Sequence, residues 1–227
     1  MSGGVDSSTA AALLKREGHD VIGVGLKFPS ADGCTSGASR SCCGIAGMDD
    51  AQRVADHIGI PFYMLDYGRV FEEEVIAGFC KSYLSGRTPN PCVECNRTVK
   101  FGRLLKFAET LGADFLATGH YAQTRRAPCV NRTLLRKAAD ASRDQTYFLH
   151  SLSQKQLGKA LFPLGGMTKD QVRSIAASFG LHVSAKPGSQ NICFIPGRDY
   201  RRVLADRFAE VIRPGPIMSM GGNGVGS

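Results

Sequence analysis

Short apolar runs alternate with longer helical segments along the first 120 residues, and this alternation restricts the fold more than any other feature of the sequence. Strands are predicted at 20–26, 61–65 and 114–118, and helices at 7–17, 49–58, 70–84 and 98–111. Strands separated by such helices pair in parallel through right-handed crossovers. The pattern therefore predicts an α/β fold, a parallel sheet with helices on both faces, with ligands at the carboxyl ends of the strands.

The pattern changes after residue 122. A basic stretch at 124–137 is typical of either a hairpin or a loop, and a small helical segment follows, with helices predicted at 145–151, 168–179 and 199–209. The glycine-rich stretch 215–227 shows no pattern of its own, so no fold is predicted for it.

Composition excludes several classes of protein. With 43% hydrophobic and 21% charged residues in a chain of 227, global disorder is excluded. No apolar run approaches 18 residues, and the sequence opens without the charged and apolar parts of a signal peptide. We therefore expect no membrane partner, a cytoplasmic location, and eight cysteines that serve as thiols, metal ligands or redox groups.

The net charge of +8 is unevenly distributed along the chain. Residues 1–95 carry eight Lys/Arg and twelve Asp/Glu, whereas residues 96–227 carry twenty and eight. Such a basic half fits a polyanionic partner such as nucleic acid, although a solvated basic surface explains the charge as well.

The sequence Ser-Gly-Gly-Val-Asp-Ser-Ser at residues 2–8 predicts a phosphate site. Two glycines allow a tight turn of inward-pointing amides, and a helix with its positive dipole end begins at once. The loop has no lysine, so it is not the common Gly-x-x-x-x-Gly-Lys phosphate loop.

Cysteines form the second group of candidates. Cys92 and Cys95 form a Cys-x-x-Cys pair behind two prolines, which predict an extended, rigid loop rather than a helix. Two thiols at this spacing can bind one metal or each other, but a zinc ribbon would need a second such pair. Cys193 stands alone in Ser-Gln-Asn-Ile-Cys-Phe-Ile, where a buried structural cysteine is the ordinary alternative.

Seven motifs occur in one order over residues 2–195: the phosphate loop, G-R-T-P-N-P-C-x-x-C-N, V-K-F-G, A-T-G-H-Y-A, D-Q-T-Y-F-L, L-F-P-L-G and S-Q-N-I-C-F-I. In this combination the chain resembles the tRNA-specific 2-thiouridylases of the PP-loop ATP pyrophosphatase superfamily. The resemblance implies a transferase that replaces O2 of the wobble uridine of tRNA with sulfur, and converts ATP into AMP and pyrophosphate.

The resemblance also assigns residues. Those that would hold ATP are Ser2, Gly3, Gly4, Val5, Asp6, Ser7, Ser8, Leu26 and Gly119, with Asp6 orienting pyrophosphate or its Mg²⁺. Those that would meet tRNA are Asn90, Pro91, Cys92, His120, Arg143, Asp144 and Gln145. Cys95 and Cys193 would be catalytic. A structural role for His120 remains equally open.

Two sulfur-transfer schemes follow from the resemblance, and the sequence leaves both open. In one, a persulfide on Cys193 attacks the adenylated base and Cys95 then forms a disulfide with Cys193. In the other, Cys92, Cys95 and Cys193 bind a [4Fe–4S] cluster with one open iron. The implied partners are tRNA and a persulfide donor, either a cysteine desulfurase or a relay protein.

The implied domains are an ATP-binding catalytic domain at 1–150, a helical extension at 151–213 that carries Cys193, and the start of a central domain at 214–227. We expect the sequence to lack the strand before the phosphate loop and most of the C-terminal domains. Two other functions stay open: a PP-loop enzyme that thiolates a different tRNA base, and a non-catalytic RNA-binding fragment.

Overall fold

The computed structural model describes residues 1–28, 45–188, 192–195, 199–210 and 215–226. Cys34, Cys42 and Cys43 lie outside these ranges, as do the first three residues of the Cys193 motif, Ser189–Asn191. The α-helices are α1 Val5–Arg16, α2 Ile45–Ile58, α3 Gly68–Phe71, α4 Ala77–Leu84, α5 Pro91–Glu94, α6 Leu105–Thr110, α7 Gln154–Gly158, α8 Lys169–Ser178 and α9 Tyr200–Phe208. The strands are β1 Gly23–Lys27, β2 Phe62–Asp66, β3 Leu116–Ala117, β4 Gln123–Ala127, β5 Arg132–Arg136, β6 Ala160–Leu161, β7 Ile217–Met218 and β8 Gly224–Gly226.

The strands β1 and β2 pair in parallel, with Gly23 opposite Phe62 and Lys27 opposite Asp66. One face of β1 is nearly bare because Gly25 has no side chain: a Cβ there would lie 2.8 Å from Sδ of Met48 in α2. On the other face, Leu26 is buried in a core cluster with Phe71 of α3. Helices thus cover both faces of this pair, and the predicted α/β class is confirmed.

A second parallel pair joins distant parts of the chain. Leu116 of β3 lies opposite Ala160 of β6, and Ala117 lies opposite Leu161. The end of β3 leads into Gly119 and His120, as predicted for a ligand-binding edge. The pairing also joins the segment before residue 150 to the segment after it, and the predicted boundary at 150 stays a prediction.

Two antiparallel hairpins follow. β4 and β5 pair from Gln123–Arg136 to Ala127–Arg132, so the basic stretch is a hairpin and not a loop. The prediction that 215–227 has no fold is wrong, because β7 and β8 pair there. Gly222, with a φ of +79°, provides the turn, and the N–H of Ser219 donates to the carbonyl of Asn223 at 2.8 Å.

A helix prediction succeeds where the residues that cap the helix are neighbours in the sequence. In α8, Thr168 and Gln171 form a capping box, which sets the first turn of the predicted helix. The helix predicted at 145–151 is wrong: only one 3-10 turn forms, Thr146–Phe148. The helices predicted at 70–84 and 98–111 contain π-helical segments, Glu72–Ile76 and Cys95–Leu104.

The core of the molecule has two main parts. α1 buries Val5 and Leu13 against Val172 and Ala176 of α8. The other part contains β1, α3, α4 and the π-helical segments, together with Phe194 and Val203 of the C-terminal region. Among the described residues, none of the helices combines the length and apolar character needed to cross a lipid bilayer.

Candidate active site

The predicted phosphate loop forms a tight turn at the start of α1. Gly3 has a φ of +66°, and a Cβ there would lie 2.0 Å from the carbonyl oxygen of Gly47 in α2. Gly4 is the N-cap and makes no side-chain cap bond, so it leaves the first amides of α1 to other partners. Free first-turn amides and the positive helix end are the features that favour a phosphate.

Hydrogen bonds of the loop's own serine residues stabilise the turn. The N–H of Ser2 donates to Oγ of Ser7 at 3.1 Å, and Oγ of Ser7 donates to the carbonyl of Gly4 at 3.3 Å. Oγ of Ser8 is fully buried and has no hydrogen-bond partner among the described residues. The loop is therefore fixed mostly by its own short side chains.

Gly119, predicted to border the adenosine, lies directly against this loop. A Cβ at Gly119 would lie 2.7 Å from the backbone nitrogen of Ser7 and 2.7 Å from the carbonyl carbon of Asp6. Only glycine allows this approach. Leu26, predicted at the same site, is instead 9% exposed and packs in the core cluster at the carboxyl end of β1. The ATP contacts of both residues stay predictions.

Asp6 is surrounded by side chains that sequence reasoning missed. Nζ of Lys169 donates to the two carboxylate oxygens of Asp6 at 2.6 and 2.8 Å, and the hydroxyl of Tyr121 donates to Oδ1 at 2.8 Å. Burial, followed by the charge of Asp6, raises the pKa of Tyr121 and keeps it protonated as a donor. Both oxygens of Asp6 are thus engaged, and its role toward pyrophosphate or Mg²⁺ stays a prediction.

A second lysine reaches the loop from the same part of the chain. Nζ of Lys186 donates to the carbonyl of Gly3 at 3.0 Å and to Oδ2 of Asp50 at 2.6 Å, and His182 contacts Oδ1 of Asp50 at 3.0 Å. Burial acts to raise the pKa of Asp50, but the bonds from Lys186 and His182 outweigh it and hold the pKa below its ordinary value. No local sequence signal links these residues, since 183 positions separate Gly3 from Lys186.

Of the three residues predicted at 143–145 to meet tRNA, Gln145 adjoins the Asp6 group through Tyr121. Gln145 forms two hydrogen bonds with the backbone of Tyr121. Asp144 accepts from the N–H of Ala138 at 2.8 Å and from Oγ1 of Thr146 at 2.6 Å. Arg143 is exposed. Asp144 and Gln145 therefore shape this segment, whereas Arg143 is accessible to a phosphate.

His120, which follows Gly119 in the chain, is half-buried. Its Nδ1 lies 2.8 Å from Oγ1 of Thr118, and its ring contacts that of Phe162 edge-on. Burial lowers the pKa of His120 to about 3, and the charge of Lys100 acts in the same direction. The imidazole is therefore neutral at physiological pH and can donate or accept a hydrogen bond. Its contact with tRNA stays a prediction.

The prediction of an extended loop around Cys92 and Cys95 is wrong. Asn90 caps a helix: its Oδ1 accepts from the N–H groups of Cys92 at 3.1 Å and Val93 at 3.4 Å. Pro91 is the first helical residue, a position that tolerates proline because its missing N–H has no helical acceptor. Cys92 and Cys95 thus lie on a continuous helix. Of this group, Cys92 and Asn90 are half-buried and Pro91 is buried.

Cys95 and Cys193 both lie at one apolar core cluster. Cys95 is 8% exposed and belongs to the core cluster that includes Leu26, and the half-buried Cys193 packs against the same cluster. Cys95 also begins the π-helical segment Cys95–Leu104. Two thiols from segments far apart in sequence therefore lie beside one core cluster, which includes the carboxyl end of β1.

Within the described ranges, no three or more His, Cys, Asp or Glu side chains are grouped so that they could hold a metal ion, although Cys92, Cys95 and Cys193 are all described. The [4Fe–4S] cluster that these cysteines would bind stays a prediction.

Comparisons with known proteins show the family of the chain. Residues 1–197 match the family described as tRNA methyl transferase HUP domain. The chain is 48% identical over 228 residues to the tRNA-specific 2-thiouridylase MnmA of Heliobacterium modesticaldum, and 50% identical over 228 residues to that of Desulfitobacterium hafniense. These matches cover 100% of this chain, but 59% and 61% of the two relatives, so the chain spans less than two thirds of their length.

A solved structure shares the fold. NMN synthetase from Francisella tularensis superposes with a TM-score of 0.52 over 92% of this chain and 72% of that chain, at 15% sequence identity. At this identity the likeness concerns the fold alone, and it agrees with the α/β architecture.

Proposed function

The chain belongs to the tRNA methyl transferase HUP-domain family, as its resemblance to the tRNA-specific 2-thiouridylases predicted, and on that basis we propose that it thiolates the wobble uridine of tRNA at the expense of ATP. The observation that carries the proposal is the position of Cys95 and Cys193 on one core cluster. Leu26, at the carboxyl end of β1, belongs to this cluster, and the carboxyl ends of parallel strands are where ligands bind. The phosphate loop supplies the ATP site that such chemistry needs.

In the first step, the loop 2–8 holds the phosphates of ATP, and O2 of the uracil attacks the α-phosphorus. The bond to pyrophosphate breaks, and the base carries AMP on its oxygen. A carbonyl oxygen is a poor leaving group, whereas AMP is a good one, so this step activates C2. Gly119 adjoins the loop and is proposed to border the adenosine, and the neutral His120, the next residue, is proposed to border the base.

In the second step, the terminal sulfur of a persulfide on Cys193 attacks C2, and AMP leaves. The thiolate of Cys95 then attacks Sγ of Cys193 and breaks the sulfur–sulfur bond to the base. The products are 2-thiouridine and a Cys95–Cys193 disulfide, which a cellular dithiol must reduce before the next turnover. A persulfide-bearing protein, either a cysteine desulfurase or a relay protein, supplies the sulfur.

The tRNA is proposed to bind along the basic half of the chain, where Arg143 is exposed. Its target base is proposed to reach Asn90, Pro91 and Cys92 at the start of α5. We assign the reaction to the cytoplasm, since the relatives are tRNA-modifying enzymes. Mg²⁺ would accompany ATP, and its charge would add to that of the loop. In the alternative scheme, Cys92, Cys95 and Cys193 would hold a [4Fe–4S] cluster, which would supply the sulfur in place of the persulfide.

The test uses the purified 227-residue chain with unmodified tRNA, ATP and a persulfide donor. Cys193→Ser should abolish 2-thiouridine but retain ATP binding, and Cys95→Ser should trap tRNA covalently on Cys193. Cys129→Ser is the matched control, since Cys129 is an exposed cysteine far from the cluster in sequence. Nucleoside mass spectrometry measures the product. Full activity of Cys193→Ser, or 2-thiocytidine as the product, would contradict the proposal.

A further inference from the structure

The π-helical segment Cys95–Leu104 places on one face residues that an α-helix would separate. Cys95 and Leu104 both belong to the core cluster that includes Leu26, although they lie nine positions apart. Nine residues make about 2.5 turns of an α-helix, which would put the two side chains on opposite faces. The π-helix has more residues in each turn, because its hydrogen bonds join residues five positions apart. The direction in which Cys95 points therefore depends on these wide turns.

Gln156 of α7 binds this segment from outside. Its Nε2 donates to the carbonyl of Arg97 at 2.9 Å and to the carbonyl of Phe101 at 2.9 Å. Its Oε1 accepts from the N–H of Ser153 at 2.9 Å, as part of the capping box that begins α7. A glutamine amide has two N–H donors, so both donors and the oxygen are engaged. One side chain thus joins α7 to two successive turns of the π-helical segment.

We propose that Gln156 is a positioning residue for Cys95, which keeps the wide turns that direct the Cys95 thiol to the core cluster shared with Cys193. The inference rests on the proposed function, in which Cys95 attacks Sγ of Cys193 and releases the thiolated base. It assigns that step a residue that lies outside both cysteine motifs.

The length of the π-helical segment calls for a stabilising partner. Such helices are rare and mostly limited to a single turn, whereas this one extends over 10 residues. A carbonyl oxygen has two lone pairs, so those of Arg97 and Phe101 can accept from Gln156 in addition to a helical N–H. Gly102 lies close to the first of them: a Cβ there would be 3.0 Å from the carbonyl oxygen of Arg97. The absence of a side chain at this position therefore leaves room around the oxygen that Gln156 binds.

The segment faces two different parts of the core, so its turns determine how these parts are aligned. Phe101 is 1% exposed and packs in a second cluster with Leu157, the residue after Gln156 in α7. Cys95 packs in the first cluster. Return of one wide turn to α-helical geometry would rotate Cys95 relative to Phe101 by up to about 100°, the angle of one residue. Loss of the Gln156 bonds would therefore move the thiol and leave the phosphate loop unchanged.

A single turnover of the full chain, with a persulfide on Cys193, ATP and unmodified tRNA, tests this assignment. Gln156→Glu keeps the side-chain shape and the acceptor of the capping box but removes both N–H donors. We expect pyrophosphate formation to stay within about twofold of wild type, while release of thiolated tRNA from Cys193 slows about tenfold or more. The covalent adduct should therefore accumulate on non-reducing gels, as in Cys95→Ser. A smaller folded fraction alone would lower both steps together and would trap no adduct.

Gln154→Glu is the matched control. Gln154 lies on the same helix and also forms two bonds with a backbone, accepting from the N–H of Thr133 at 2.9 Å and donating to its carbonyl at 3.0 Å. At saturating tRNA this variant should trap no adduct. Equal slowing of pyrophosphate formation and tRNA release in Gln156→Glu, wild-type rates for both, or an equal amount of adduct in Gln154→Glu would each overturn the inference.

A second measurement does not depend on the folding of a variant. In the ¹⁵N-labelled wild-type chain, the side-chain amide protons of Gln156 should exchange with water at least about tenfold more slowly than those of the exposed Gln52. Equal exchange rates would also overturn the inference. If Cys95→Ser traps no adduct, that result counts against the proposed function, and the exchange rates alone then decide whether Gln156 holds the segment.

Discussion

Gln145 forms hydrogen bonds with both the N–H and the carbonyl of Tyr121. The N–H of Tyr121 donates to Oε1 of Gln145 at 2.9 Å, and the N–H of Gln145 donates to the carbonyl of Tyr121 at 2.9 Å. Because the hydroxyl of Tyr121 binds Asp6, one residue connects the phosphate loop to the segment that we propose meets tRNA. Displacement of Gln145 would therefore be transmitted to the loop through a single side chain.

Gln145→Ala should destabilise the protein by about 1–3 kcal/mol, because Tyr121 is 2% exposed and its N–H would lose its acceptor away from water. Urea unfolding measures the free energy of unfolding. The matched control is Gln52→Ala, which removes an exposed side-chain bond of 2.8 Å to Asp56 and should cost less than about 0.5 kcal/mol. Equal losses in the two variants would show that the Gln145–Tyr121 pairing is not important for stability.

Gly119→Ala should weaken ATP binding about tenfold or more and destabilise the fold by about 1–3 kcal/mol. The new Cβ would lie 2.7 Å from backbone atoms of Asp6 and Ser7, so either the loop or the end of β3 must move. ATP affinity and the unfolding midpoint are the measurements. Gly78→Ala in α4 is the control: a Cβ there meets nothing within 4 Å, so this variant should be neutral or more stable by up to about 1 kcal/mol. Normal ATP affinity in Gly119→Ala would contradict the close approach.

His120 should make the protein sensitive to acid. Its pKa is about 3 in the folded state and its ordinary value is 6.5, so between these values the unfolded chain binds the extra proton. Stability is therefore fully present above pH 6.5 and falls as the pH is lowered, by about 2 kcal/mol at pH 5 from this residue alone. His120→Asn should remove that part of the loss between pH 7 and pH 5, as measured by urea unfolding at each pH. His19→Asn, an exposed histidine, should keep the wild-type loss, and an unchanged loss in His120→Asn would refute the assignment.

The hairpin β4–β5 should contribute to tRNA affinity. Arg125, Arg132 and Arg136 lie on one exposed face of it, and within the part of the chain that the structure describes none of them is in an ion pair. Their joint replacement by glutamine should weaken tRNA binding about tenfold or more at 0.1 M salt and reduce the dependence of log Kd on log salt by up to about 3. The triple control replaces Arg53, Arg69 and Lys81 of the acidic half with glutamine. An equal effect of both triples would mean that overall charge alone attracts the RNA.

The parts of the fold that local sequence determines were predictable. Short apolar runs located β1 and β2 to within about three residues, and Thr168 with Gln171 located the start of α8. The loop at 2–8 was predictable too, because two glycines and a helix start are all adjacent. In each case the residues that decide the structure are neighbours in the chain.

Other features depend on context that a linear pattern does not contain. Two prolines suggested an extended segment, but the side chain of Asn90 turned Pro91 into the first residue of a helix. The segment at 145–151 has helical composition, yet its first residue is bonded to Tyr121 and only one 3-10 turn forms. Lys169 carried no signal at all, since its relation to Asp6 exists only after the two helices pack together.

The pair formed by Asp6 and Lys169 joins residues 163 positions apart. During synthesis on a ribosome, the glycine turn and most of α1 could form long before residue 169 is translated, but the carboxylate would have no ammonium partner during that interval. The turn should therefore reach its final geometry late and abruptly, when α8 docks on α1, and not gradually as the chain lengthens.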